Sequence, residues 1–248
     1  MRRAERSIMY TRKRHWLSRF AILTMALLTT PGEAGESQTD SDGRIANSSE
    51  WPWQAIGRVN ISGATFCTGT LVAPDTVLTA AHCLNNRITG KHHLPDYVTF
   101  VVGYSRGSYV AQSKAASFSV KSCAPKVGET VSYEALACDS ALIKLATPIQ
   151  NVEPLQQAES VPENGSGVLA GYLQSRPYAL SILDCTIVSR DQPRQLLYHS
   201  CSWIEGGSGG PFLTHVNGTW RVFGIQTAKS KLLDGQTIGI ARRWISGD

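Results

Sequence analysis

The chain has 248 residues, 42% of them apolar and 17% charged, which excludes a disordered or charge-dominated protein and allows one large domain or two small ones. Its net charge of +5 is carried by residues 1–34, where Arg2, Arg3, Arg6, Arg12, Lys13, Arg14 and Arg19 face only Glu5 and Glu33. The remaining 17 basic and 17 acidic residues cancel, so charge gives no reason to expect a nucleic-acid partner.

Residues 1–34 have the layout of an export signal. A basic stretch to Arg19 precedes the apolar run Phe20 to Leu28, and Gly32-Glu33-Ala34 supplies small residues for cleavage near Ala34. The run is short of the roughly 20 residues that span a bilayer, and no later segment is apolar enough. A secreted or periplasmic protein without a stable membrane anchor is therefore expected. Gly35 to Gly43 is small and polar, and residues 35–44 read as a flexible tether or pro-segment.

From Trp51 onward, short β-type runs alternate with turn residues. They include Thr70–Val72, Thr76–Leu78, Tyr97–Val102, Ala141–Leu145, Val168–Ala170 and Ser181–Leu183. The clearest hairpin joins Pro211–Val216 to Thr219–Phe223 through Asn217-Gly218, a pair suited to the left-handed backbone of a two-residue turn. No long stretch has helical periodicity. The reading is an all-β chain, sandwich or barrel. The polar, turn-rich stretch from Pro148 to Gly167 splits it into two β-units, 45–150 and 151–248, the second opening with a surface crossover.

All six cysteines follow the leader: Cys67, Cys83, Cys123, Cys138, Cys185 and Cys201. An even number in an exported chain points to disulfides, though six cysteines admit many pairings. Consecutive pairing would span separations of 16, 15 and 16 residues. No two cysteines sit two to four residues apart, which argues against zinc, and no metal or cofactor is expected.

Three local arrangements carry chemistry. In Val77-Leu-Thr-Ala-Ala-His82-Cys83 a histidine follows an apolar strand, and its small neighbours leave room for the imidazole to face a cleft. In Cys138-Asp139-Ser-Ala-Leu-Ile-Lys-Leu145 an aspartate opens an apolar strand, either as a turn residue or as a buried carboxylate that needs a partner such as a histidine N–H. Gly206-Gly207-Ser208-Gly209-Gly210-Pro211 is the strongest: glycines free the backbone around one serine, so successive N–H groups can aim at one point, as an oxyanion requires. A spacer is argued against by the hairpin that starts at Pro211. His92-His93 reads as solvated, and His199 and His215 as structural.

A histidine, an aspartate and a serine, in that order and each at a strand–loop boundary, are what an activated hydroxyl nucleophile needs. With Trp51-Pro-Trp-Gln-Ala55, Phe66-Cys-Thr-Gly-Thr-Leu71, Thr79-Ala-Ala-His-Cys83, Asp139 to Leu145, Ala170-Gly-Tyr172 and Gly206 to Pro211, the chain resembles the chymotrypsin-like (trypsin-family) serine peptidases, in particular their secreted bacterial members. The resemblance implies two six-stranded antiparallel β-barrels with the site in the cleft between them. It implies Ser208 as nucleophile, His82 as general base and acid, Asp139 as orienting carboxylate, and the N–H groups of Gly206 and Ser208 as oxyanion hole. The partner would be a peptide or protein substrate and the protein a monomer. The expected disulfides are Cys67–Cys83, Cys123–Cys138 and Cys185–Cys201, one beside each of the three residues.

The chain departs from the family in three places. Gly207 stands where the commonest loop has an aspartate that pairs with a new N-terminal amine, although Arg44-Ile45 resembles an activation junction. Activity without that switch is the favoured reading; use of another acid such as Glu205, or a catalytically silent binding protein on the same fold, are the alternatives. The substrate pocket is expected from Ser202, Trp203, Thr227 and Ala228, with Ser202 where trypsin-type members place the aspartate that attracts Arg or Lys. The chain also ends soon after Ala241-Arg-Arg-Trp, with little sequence for a C-terminal helix.

Overall fold

The computed structural model describes residues 42–160, 165–202 and 205–245. The leader at 1–34, residues 35–41 of the tether, and Trp203 lie outside the described residues. Antiparallel strands dominate. β1 (Arg44–Ile45) is followed by β2 (Ile56–Ile61), β3 (Thr65–Ala73), β4 (Thr76–Thr79), β5 (Val98–Val102), β6 (Ala111–Val120) and β7 (Ala141–Leu145). Strands β2 to β7 close into a six-stranded barrel in the order β2-β3-β4-β7-β6-β5. The second half contributes β8 (Ser166–Leu173), β9 (Arg176–Asp191), β10 (Leu196–His199), β11 (Pro211–Val216), β12 (Thr219–Lys231) and β13 (Thr237–Arg243). They form a sheet in the order β1-β9-β10-β13-β12-β11-β8, and a further β8–β9 pairing closes its six long strands on themselves. The double β-barrel expected from the sequence is therefore the architecture observed.

The pleat explains the fit of these sequences to strands. Along β7, Ala141, Ile143 and Leu145 are buried while Lys144 points to solvent, a period of two. Ile56, Val59, Leu71, Val77, Phe100 and Ile143 are fully buried in the first half, and Leu169, Phe212, Phe223 and Ala241 in the second. Asn217 and Gly218 both have positive φ (49° and 80°), the backbone that a two-residue hairpin between β11 and β12 demands. Among the described residues the only α-helix is α1 (Tyr133–Leu136), a single turn whose Ser132 Oγ accepts from the Ala135 N–H at 3.2 Å. No helix there is long and apolar enough to cross a membrane.

Three disulfides join Cys67 to Cys83, Cys123 to Cys138 and Cys185 to Cys201. Each stabilises by about 3 kcal/mol if it acts mainly by restricting the unfolded chain. The short β1 lies on β9 of the second sheet although it precedes the first barrel. Arg176, itself buried, donates to the carbonyls of Asp42 at 3.3 Å and Gly43 at 2.9 Å, and Arg44 reaches both Asp184 oxygens at 2.9 and 3.1 Å.

His199 on β10 is fully buried, its ring 5.4 Å from that of Phe212. The Gln226 Nε2 donates to the Ala228 carbonyl, so Oε1 faces the imidazole and accepts from His199 Nε2–H at 2.8 Å. Burial pushes the His199 pKa down to about 4, partly opposed by this hydrogen bond. The unfolded chain, with an ordinary histidine pKa near 6.5, binds the proton between those values while the native state does not. Stability should therefore fall as pH drops from about 6.5 to 4, by about 3 kcal/mol from this group. Urea unfolding across that range checks it: a His199→Gln variant should show a flatter dependence, and an unchanged slope would remove His199 as the cause.

Candidate active site

The His82 turn follows directly from β4. Residues Ala81–Leu84 form one 3₁₀ turn, and the small, fully buried Ala80 and Ala81 let it pack tightly against the first barrel. Asp139 lies between α1 and β7 and is fully buried. Its carboxylate accepts twice from one residue: from the His82 backbone N–H at 2.9 Å and from the ring at Nδ1 at 2.7 Å. The second bond holds Nδ1 as the protonated ring nitrogen of the neutral imidazole, leaving Nε2 to act as acceptor. Burial disfavours the imidazolium, but the Asp139 charge and its hydrogen bond outweigh it, and the His82 pKa sits above the ordinary histidine value. The positive charge of Arg87 pulls the other way.

The segment carrying Asp139 is held from several sides. The Cys123–Cys138 bridge ends on its neighbour. Arg242 of β13 donates to the Ala137 carbonyl at 2.6 Å, and Arg194 grips Glu134 of α1 at 2.7 and 2.9 Å. Both arginines come from the second barrel. Sequence reading passed over them, since a basic residue in a strand or hairpin has no local mark of a distant carbonyl or carboxylate partner.

Ser208 sits in a loop locked to the first barrel. Thr68 of β3 donates its N–H to the Ser208 carbonyl at 2.9 Å and its hydroxyl to the Gly206 carbonyl at 3.0 Å. The same hydroxyl accepts from the Tyr172 N–H at 2.9 Å, and the Thr68 carbonyl accepts from Thr79 Oγ1 at 2.8 Å. Gly206 and Gly209 have positive φ (93° and 77°), and a Cβ on Gly209 would lie 2.2 Å from Thr79 Oγ1, so no side chain fits there. Gly209 and Gly210 give their N–H groups to the carbonyls of Gln226 and Gly207, whereas among the described residues those of Gly206 and Ser208 donate to none. Cys83 Sγ lies 3.8 Å from the Ser208 carbonyl oxygen and 3.9 Å from His82 Nε2, which puts the disulfide against both the serine loop and the imidazole. The structure thus gathers His82, Asp139, Gly206 and Ser208 at the junction of the barrels.

A sequence model described as "Trypsin" matches residues 41–246. The chain belongs to the trypsin family. Among curated proteins it is 29% identical over 161 residues to a trypsin of Sarcophaga bullata, covering 62% of this chain. The chain spans 56% of the length of that relative. Among solved structures, one titled as a Glu endopeptidase in complex with MPD shares the fold with a TM-score of 0.65 and 22% identity, over 82% of this chain and 90% of that one.

In this trypsin-family chain a cavity of about 600 Å³ opens beside His82 and Asp139, and Thr227 and Ala228 line it together with Leu136 and Lys229. Thr227 is buried and ties its hydroxyl to the Ile240 carbonyl at 3.1 Å. Ser202 is exposed and is not part of that lining. Two clusters bring a histidine to two cysteines, Cys67-His82-Cys83 and Cys185-His199-Cys201. Both cysteine pairs are disulfides, so neither has the thiolates a metal would require.

Two outcomes follow from this geometry. In an NMR titration the His82 ring should protonate above pH 6.5, and in Asp139→Asn below it, because burial persists while the compensating charge is gone. Equal values in both proteins would contradict the electrostatic account. Thr68→Val keeps the shape but strands the buried Gly206 carbonyl and Tyr172 N–H, and should cost about 3 kcal/mol in urea unfolding; a loss below about 0.5 kcal/mol would mean that the hydroxyl is not needed.

Proposed function

We propose that the chain is an exported serine endopeptidase that cleaves peptide bonds in protein or peptide substrates through an acyl-enzyme. The observation that carries this reading is the buried carboxylate of Asp139, bonded to His82 Nδ1 at 2.7 Å beside the serine loop. Ser208 Oγ attacks the scissile carbonyl while His82 Nε2 takes its proton, and Asp139 stabilises the imidazolium that results. The N–H groups of Gly206 and Ser208 receive the negative oxygen of the tetrahedral intermediate. On collapse, His82 returns the proton to the departing amine. Water then repeats the sequence, releasing the acid and restoring the serine. Three disulfides fit an oxidising, extracytoplasmic destination.

Activity without cleavage at Arg44-Ile45 is part of the same reading. Gly207 offers no carboxylate to a new N-terminal amine, and Glu205 is exposed. The peptide bond in question lies within β1, hydrogen-bonded to β9, with the Arg176 and Arg44 contacts holding the chain just before it.

A fluorophosphonate probe should label the folded protein at Ser208, and Ser208→Ala should abolish labelling. Arg44→Gln, which blocks trypsin-like processing, should label as fast as the parent. Folded protein that never labels would support the silent binding protein instead; labelling that appears only after cleavage at Arg44 would restore the activation switch.

A further inference from the structure

The cavity beside His82 has a one-sided charge pattern. Its floor is apolar, with the buried Pro125 and Leu136, and three cations stand around it, Arg87, Lys126 and Lys229. All three are exposed, and among the described residues none is ion-paired with an acid. The single acid in the lining, Asp139, is buried and already bonded to His82. Residues 35–248 are neutral overall, 17 basic against 17 acidic, so three unmatched cations around one cavity are a local departure from the whole. The Arg87 charge also reaches the chemistry, since it opposes protonation of His82.

The strand next to the cavity sets the direction of a bound peptide. β11 pairs with β12 only as far as Ile225, and from Ala228 to Lys231 β12 is paired with β13 alone. Its other edge runs along the cavity at Thr227, Ala228 and Lys229. The start of that edge is at the serine loop, where the Gly209 N–H donates to the Gln226 carbonyl. β12 therefore runs away from Ser208, and an extended peptide added antiparallel to it arrives N-to-C at the serine. The residues that cross the cavity then precede the scissile bond.

Resting on the endopeptidase reading, we propose that this cavity selects substrates with acidic side chains two to four residues before the scissile bond, their aliphatic stems on the apolar floor and their carboxylates among Arg87, Lys126 and Lys229. Paired fluorogenic peptides, identical except for Glu or Gln at those positions, test it on the mature protein. At low salt the Glu peptide should have the higher kcat/KM by about tenfold, the combined effect of three exposed charges, and the ratio should shrink toward one at about 0.5 M salt. In Arg87→Glu with Lys229→Glu the ratio should fall below one. Equal kcat/KM for the two peptides at low salt, or a preference that survives high salt, would overturn the proposal while leaving the peptidase reading intact. If neither peptide is cut and the fluorophosphonate leaves Ser208 unlabelled, the peptidase reading fails and takes the proposal with it. Should the double variant not fold, the salt series on the parent protein decides alone.

Discussion

The arrangement of the whole site depends on one buried threonine. Thr68 uses every hydrogen-bonding group it has, and all of its partners are elements that must keep register with one another: the serine loop through Gly206 and Ser208, β8 through Tyr172, and β4, one turn before His82, through Thr79. A hydroxyl that both donates and accepts is needed here, because one side offers a carbonyl and the other an N–H. Tyr172, fully buried with its phenol donating to the Tyr104 carbonyl at 2.8 Å, closes the same seam a few ångströms away.

Around that seam the protein tolerates a charge that would be costly elsewhere. A carboxylate with no solvent exposure must be compensated, and Asp139 finds two N–H donors on a single residue. The backbone bond fixes the turn and the ring bond fixes the tautomer, so the position of His82 and its protonation are set by the same group. The segment bearing the carboxylate is short and contains only one turn of helix, too little to hold itself. Its support comes from outside, through a disulfide and two arginines of the other barrel.

Much of the fold is legible because its signals are local. Period-two burial in Ala141–Leu145 and the Asn217-Gly218 turn can be read from a few adjacent residues. The same holds for His82, Asp139 and Ser208 as candidates, each set in a short run whose small or glycine neighbours are constrained by packing. Thr68 stood within a recognisable run but carried no mark of its partners, which lie more than a hundred residues away except for Thr79. The contacts of Arg176 with Gly43, Arg194 with Glu134 and Arg242 with Ala137 leave no mark in the sequence for the same reason: each partner lies at least 60 residues away and is brought near only by folding. His199 read as structural, and the fold explains why, since it fills the space against Gly239 and Phe212 and stays neutral. The charge around the cavity was also beyond sequence reading, because Arg87, Lys126 and Lys229 lie on three separate segments.

Each of the three disulfides closes within one half of the chain, two in the first and one in the second. The halves are thus joined covalently by the polypeptide alone, along the crossover that follows β7. The strand β1, however, belongs to the second sheet while preceding the first barrel, so the N-terminal half carries one strand of its neighbour with it. A chain nicked in the crossover would behave as a heterodimer with a donated arm: two fragments whose assembly follows mass action, with a dissociation constant and a dependence on concentration that the intact chain does not have.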